Sequence, residues 1–116
     1  MKVIIAGGRD FEGDDTDVFL LQELDSMYKF TEVVSGECSG ADLFGEQFAF
    51  WYGISVVKFI ADWTKYGKSA GPIRNKQMAE YADAVILFQG GRGTANMRQE
   101  AKKAGIKILY DAENEA

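Results

Sequence analysis

Four short stretches of the chain carry residues that a packed interior has little use for. They are Gly7-Gly8-Arg9-Asp10-Phe11, Ser35-Gly36 through Gly40-Ala41-Asp42, Ala61-Asp62-Trp63 through Arg74-Asn75, and Gly90-Gly91-Arg92-Gly93-Thr94. Their common chemistry is anion binding. Glycines let the backbone approach a ligand closely, and free N–H groups at the start of a helix, reinforced by its dipole, favour a negative group. Gly36 to Gly40 and Gly90 to Gly93 both lead into helical patterns, so both are candidate phosphate cradles. Neither is a Walker loop, and neither matches GxGxxG. Arg9, Lys65, Lys68, Arg74, Lys76 and Arg92 fall in or beside these stretches. Arg74-Asn75 is expected in the first turn of a helix, where a cation opposes the dipole and a bound phosphate would relieve the conflict. Phe11, Trp63 and Tyr66 offer aromatic faces, either to a base or to the core. Asp10 and Asp42 can accept ribose hydroxyls or hold their own loops.

Composition narrows the chemistry. The chain has 116 residues, no histidine and one cysteine, Cys38. The commonest general base and the commonest metal ligand are therefore missing. A zinc site is not expected, no metal or other cofactor is assigned, and an intrachain disulfide cannot form. The formal net charge of −5 argues against a protein that grips nucleic acid by its backbone. No apolar run approaches membrane-spanning length. The opening MKVIIAGG reaches its glycines too soon for a signal peptide, so a cytoplasmic protein is expected.

The elements that must position these residues alternate in type. Apolar runs at Val3-Ile4-Ile5-Ala6, Glu32 to Ser35, Ile54 to Phe59, Ala84 to Phe88 and Ile106 to Leu109 suit buried strands. Helices are expected from Asp14, Asp15 or Thr16 to about Tyr28, from Gly40 to Tyr52, from Pro72 to about Ala82, and from Thr94 to Ala104. Residues 60–70 are expected as a long loop, and 111–116 as a frayed acidic stub. Strand–helix alternation implies right-handed crossovers and a parallel sheet covered on both faces. The expected fold is α/β: one Rossmann-like three-layer domain over residues 1–116, with about five parallel strands. Each of the four stretches follows a strand, and ligands of such sheets bind at the strands' carboxyl ends.

These motifs, in this order and across nearly the whole chain, resemble the SLOG superfamily, closest to its stand-alone YspA-like branch of bacteria and phages. The resemblance rests on Gly7 to Phe11, Ser35-Gly36 to Asp42, Asp62-Trp63, Tyr66-Gly67-Lys68, Ala70 to Asn75 with Met78, and Gly90-Gly91-x-Gly93-Thr94. It implies a domain that binds a phosphate-bearing, nucleotide-derived small molecule. The LOG members are phosphoribohydrolases that cut the N-glycosidic bond of a nucleoside monophosphate. Others sense NAD-derived signals in antiphage defence, and DprA-like members bind single-stranded DNA. In the hydrolases the glycine motif ends in a catalytic Glu, and here that position is Met97. Arg74 matches the arginine that accompanies that Glu. Two activities therefore remain in view: a sensor or phage-type sponge for a signal such as an ADP-ribose-like molecule, or an N-glycosidase using Arg74 with a non-standard acid such as Asp42 or Asp10. Nucleic-acid binding is the weakest alternative.

The second helix reads Phe44, Phe48, Phe50, Trp51, Tyr52. At 100° per residue, Phe44, Phe48, Trp51 and Tyr52 fit one stripe against the sheet, and Phe50 points elsewhere. An apolar surface beyond the core stripe suggests self-association. The characterised SLOG enzymes are homo-oligomers, so a homodimer or higher even oligomer is expected.

Overall fold

The computed structural model describes residues 1–113. Five strands, β1 (Lys2–Ala6), β2 (Glu32–Ser35), β3 (Ser55–Lys58), β4 (Ala84–Leu87) and β5 (Lys107–Asp111), form one all-parallel sheet in the order β3-β2-β1-β4-β5. The helices are α1 (Asp15–Tyr28), α2 (Ala41–Trp51), α3 (Trp63–Tyr66), α4 (Ala70–Tyr81) and α5 (Arg92–Ala104). Alternate residues of the central strands feed two separate cores. Val3, Ile5, Ala84, Ile86 and Phe88 pack with Leu21 and Leu24 of α1 and Phe44 and Phe48 of α2. Ile4, Ala6, Val85 and Leu87 pack with Met78 and Ala79 of α4 and Met97 and Ala101 of α5. That is why the strands read as unbroken apolar runs: both of their faces are covered.

The helix ends follow local chemistry. Asp14 caps α1 by accepting from the Asp17 N–H at 3.1 Å, and the Asp17 carboxylate accepts from the Asp14 N–H at 3.0 Å. α5 stops at Gly105, whose φ of 74° is left-handed and suits the residue that ends a helix.

Several sequence expectations need correction. Residues 60–70 are not a bare loop. Asp62 caps α3 by accepting from the Lys65 N–H at 3.0 Å, and a 3-10 turn over Gly67–Ser69 joins α3 to α4. α4 opens at Ala70, two residues before Pro72, because a proline anywhere in the first turn gives up an N–H that has no helical partner. Arg74 and Asn75 thus lie in the second turn rather than the first. α5 opens at Arg92, with Thr94 as its third residue. β5 continues to Asp111, which is buried, so the stub is not frayed there. The rest of it, 114–116, lies outside the described residues. Trp51 does not join the stripe against the sheet: it is 78% exposed, because α2 turns Phe44 and Phe48 inward. No helix among the described residues is long and apolar enough to cross a membrane.

Candidate functional site

The strand order reverses at the centre of the sheet. From β1 the chain moves outward to β2 and β3, then returns to place β4 on the other side of β1. The loops leaving β1 and β4 diverge to opposite faces and leave a crevice between them. They are joined by the Gly8 N–H donating to the Gln89 carbonyl at 2.8 Å. A cavity of about 570 Å³ opens at this point. It sits within the roughly 300–1,000 Å³ of ordinary small-molecule sites.

Of the expected site residues, the cavity wall includes Gly7, Gly8, Arg9, Asp42, Trp63, Arg74, Asn75, Met78, Gly91, Gly93 and Thr94. The fold therefore brings all four stretches to one place. Asp10, Phe11, Ser35, Gly36, Gly40, Ala41, Asp62 and Gly90 do not line it. Phe11 instead stacks on Phe88, with ring centroids 4.5 Å apart, and meets the edge of Phe44 at 5.4 Å. Ser35 is buried and donates to Glu46 at 2.5 Å. Asp62 is spent on capping α3. Gly40 and Ala41 serve the loop after β1: the Ala41 N–H donates to the Gly8 carbonyl at 3.2 Å, and a side chain at Gly40 would run into Gly8 and Arg9. Gly90 makes similar room for Thr94 and Gly8. Gly36 lies directly behind the cavity, where an added Cβ would meet Arg74 Nη1 at 2.8 Å and Asp42 Oδ2 at 3.0 Å.

Gly91 and Gly93 differ from these. A Cβ added at either would meet nothing within 4 Å, and neither has positive φ. Nothing in the protein requires glycine at Gly93, whereas Gly91, with φ −105° and ψ −135°, has a backbone that favours glycine; both line the cavity. Gly93 is the second residue of α5, with a helical backbone that alanine could adopt at a gain of about 0.4–1 kcal/mol. The missing side chains leave room for something the chain itself does not supply.

Arg74 is 9% exposed, so it is not a solvated surface charge. Its Nη1 donates to the Gly36 carbonyl at 2.5 Å and its Nε to Asn75 Oδ1 at 3.0 Å. Nη2 has no protein acceptor among the described residues. Asn75 in turn donates to Asn96 Oδ1 at 2.8 Å, tying α4 to α5 across the site. Asp42 is buried and accepts from the Cys38 N–H at 3.1 Å, which fixes the loop after β2. Burial pushes its carboxyl above the ordinary range, against the opposing pull of the Cys38 N–H and the Arg74 charge. Met97, at 1% exposure, fills both the core under α5 and the base of the cavity.

Lys68, Arg92, Cys38, Gly71, Pro72 and Asn96 also line the cavity. The first two were noted in the sequence only as neighbouring cations. Cys38 and Asn96 carried no signal of their own, although each lies within two to four residues of a glycine that did. Lys65 and Lys76 stay outside; the Lys65 ammonium sits over the Tyr66 ring at 5.0 Å. The wall thus holds four cations, Arg9, Lys68, Arg74 and Arg92, against one carboxylate, Asp42. In a chain of net charge −5 this is a local reversal of sign. Such a wall suits an anion carrying more than one negative charge. Among the described residues, no group of three or more acidic, histidine or cysteine side chains is placed to hold a metal ion.

Known proteins match this chain in sequence and in fold. The sequence profile described as "YspA, cpYpsA-related SLOG family" matches residues 1–66. The Gene 61 protein of Mycobacterium phage D29 is 36% identical over 118 residues, covering 93% of this chain and 94% of that protein. Among solved structures, DNA processing protein A (DprA) from Streptococcus pneumoniae superposes with a TM-score of 0.72 at 16% identity. That alignment takes in 94% of this chain but only 49% of DprA, and at such identity it speaks for the fold alone.

Proposed function

Because the chain belongs to the YspA, cpYpsA-related SLOG family, we propose that it binds a phosphate-bearing, nucleotide-derived small molecule in the crevice between β1 and β4. The observation that carries this reading is the pair Gly91 and Gly93, which line the cavity at the start of α5 with open space where a Cβ would sit. A phosphate seated there meets the N–H groups and dipole of α5. Arg74, held by Gly36 and Asn75, offers Nη2 to the same group. Trp63, half exposed on the rim, offers its face to a base. Four wall cations favour a ligand with two or more phosphates, such as an ADP-ribose-like signal, over a nucleoside monophosphate. Binding rather than hydrolysis is favoured because Met97 occupies the position of the carboxylate that stabilises the oxocarbenium-like state in the hydrolases. The carboxylate that does reach the cavity, Asp42, is engaged by the Cys38 N–H.

The test is calorimetry against nucleoside monophosphates, ADP-ribose and NAD, followed by chromatography of each ligand after incubation. ADP-ribose bound and recovered intact is the expected result. Free base in the eluate would make the protein an N-glycosidase, and absence of binding to every ligand would remove the site. Arg74→Lys keeps the charge but loses the planar fork, and is expected to weaken binding by about 1.5–3 kcal/mol. Thermal unfolding of the same variant separates that loss from any loosening of the Gly36 contact.

A further inference from the structure

An asparagine amide offers an oxygen on one side and an NH2 group on the other, and its neighbours decide which faces where. At this site an arginine makes the decision. Arg74 Nε can only donate, so the atom it meets on Asn75 at 3.0 Å must be the oxygen, Oδ1. The NH2 group of Asn75 is thereby turned toward α5. It donates to Asn96 Oδ1 at 2.8 Å and to the Gly93 carbonyl at 3.4 Å. A backbone carbonyl can only accept, so both ends of buried Asn75 demand the same orientation. The logic then passes to Asn96. Its oxygen is taken by Asn75, which leaves its NH2 group as the free end. Asn96 Nδ2 has no acceptor among the described residues, and the half-buried Asn96 lines the cavity.

We propose that Asn96 is a ligand-contacting residue whose Nδ2 donates to a phosphate oxygen of the bound molecule. The inference rests on the phosphate-binding reading above and adds a donor to it. Asn96 follows Gly93 by three residues, so the two share a face of α5, about 4.5 Å apart along its axis. A phosphate beside Gly93 then meets three kinds of donor: the first N–H groups of α5, Arg74 Nη2 and Asn96 Nδ2. The oxygens of an ionised phosphate only accept, and this set only donates. Arg74 thus acts twice, once through its own Nη2 and once by fixing, through Asn75, which end of Asn96 is free.

Nuclear magnetic resonance of the side-chain amides in the wild-type chain is the direct test. ADP-ribose, NAD and AMP are titrated in turn. Whichever binds should move the Asn96 NH2 proton signals downfield and produce a nitrogen–phosphorus coupling across the hydrogen bond. Adenosine, which has no phosphate, should leave them in place. Asn96→Asp keeps the oxygen that Asn75 needs and replaces the free NH2 group with an acceptor. It should weaken binding of the same nucleotide by about 10- to 100-fold, the range for a hydrogen bond to a charged group, with an unchanged circular dichroism spectrum. Ala95→Asp adds the same charge at an exposed neighbour outside the cavity wall, and should weaken binding by no more than about twofold. Stationary Asn96 signals in a chain that binds a nucleotide would overturn the inference and leave the functional reading standing. So would equal losses from the two acidic variants. A wild-type chain that binds none of the three nucleotides would overturn both.

Discussion

Gly93 carries the clearest conflict between stability and use. It lies in α5, its backbone is ordinary, and a methyl group there would touch nothing in the protein. Gly93→Ala is therefore expected to stabilise the fold by about 0.4–1 kcal/mol. The same methyl would stand in the proposed phosphate seat and weaken ligand binding on the order of tenfold, or about 1.4 kcal/mol. Thermal melting and calorimetry on one variant check both signs, and a rise in stability with unchanged affinity would place the ligand elsewhere. At this scale the sequence singled out Arg74, Gly91, Gly93 and Thr94, which the fold gathers at one cavity, because glycine and arginine beside a helix start have few structural uses. It left Phe11 open between a base and the core. Whether a loop aromatic turns outward or inward depends on a distant partner, here Phe88, and no local pattern encodes that. Gly36, Gly40 and Gly90 were legible as special but not as places where one loop presses on another.

Among the elements, β5 is held to α5 by a side-chain clamp that its sequence pattern concealed. Arg98 Nε and Nη2 donate to the two Asp111 oxygens at 2.6 and 2.8 Å, and Nη2 also meets Glu113 at 2.8 Å. The Arg98 hydrogen bonds hold the Asp111 carboxyl below its ordinary range against the cost of burial. Because the folded-state value is depressed, the stabilisation is fully present above the unfolded value and fades as pH falls through the folded one. Asp111→Asn is expected to cost about 2 kcal/mol at neutral pH, with the difference from wild type closing in strong acid; melting curves across that range measure it. Helix and strand identities were readable because apolar period and cap residues agree. The exception is α3, whose cap, Asp62, was a signal in plain view. A four-residue helix is too short to show a period, so the segment resembled a loop.

For the whole molecule, a parallel sheet with helices on both faces was legible from strand–helix alternation, but strand order was not. A crossover can return on either side of β1, and only packing against the two cores decides. That decision creates the crevice: the sequence put the four stretches at the strands' carboxyl edge, but not at the gap between β1 and β4. It also puts the chain's earliest strand in the middle of the sheet, with Val3 pairing Val33 on one side and Ala84 on the other. A chain ending at residue 82 lacks β4, α5 and β5, and leaves one full edge of β1 open. It is expected to show no cooperative thermal transition by circular dichroism, whereas the full chain shows one. During synthesis the same condition holds for a time. β1, α1, β2, α2 and β3 leave the ribosome with β1 as an unpaired edge strand, and no segment made before β4 can close it. Such an edge is a template for pairing with another nascent chain.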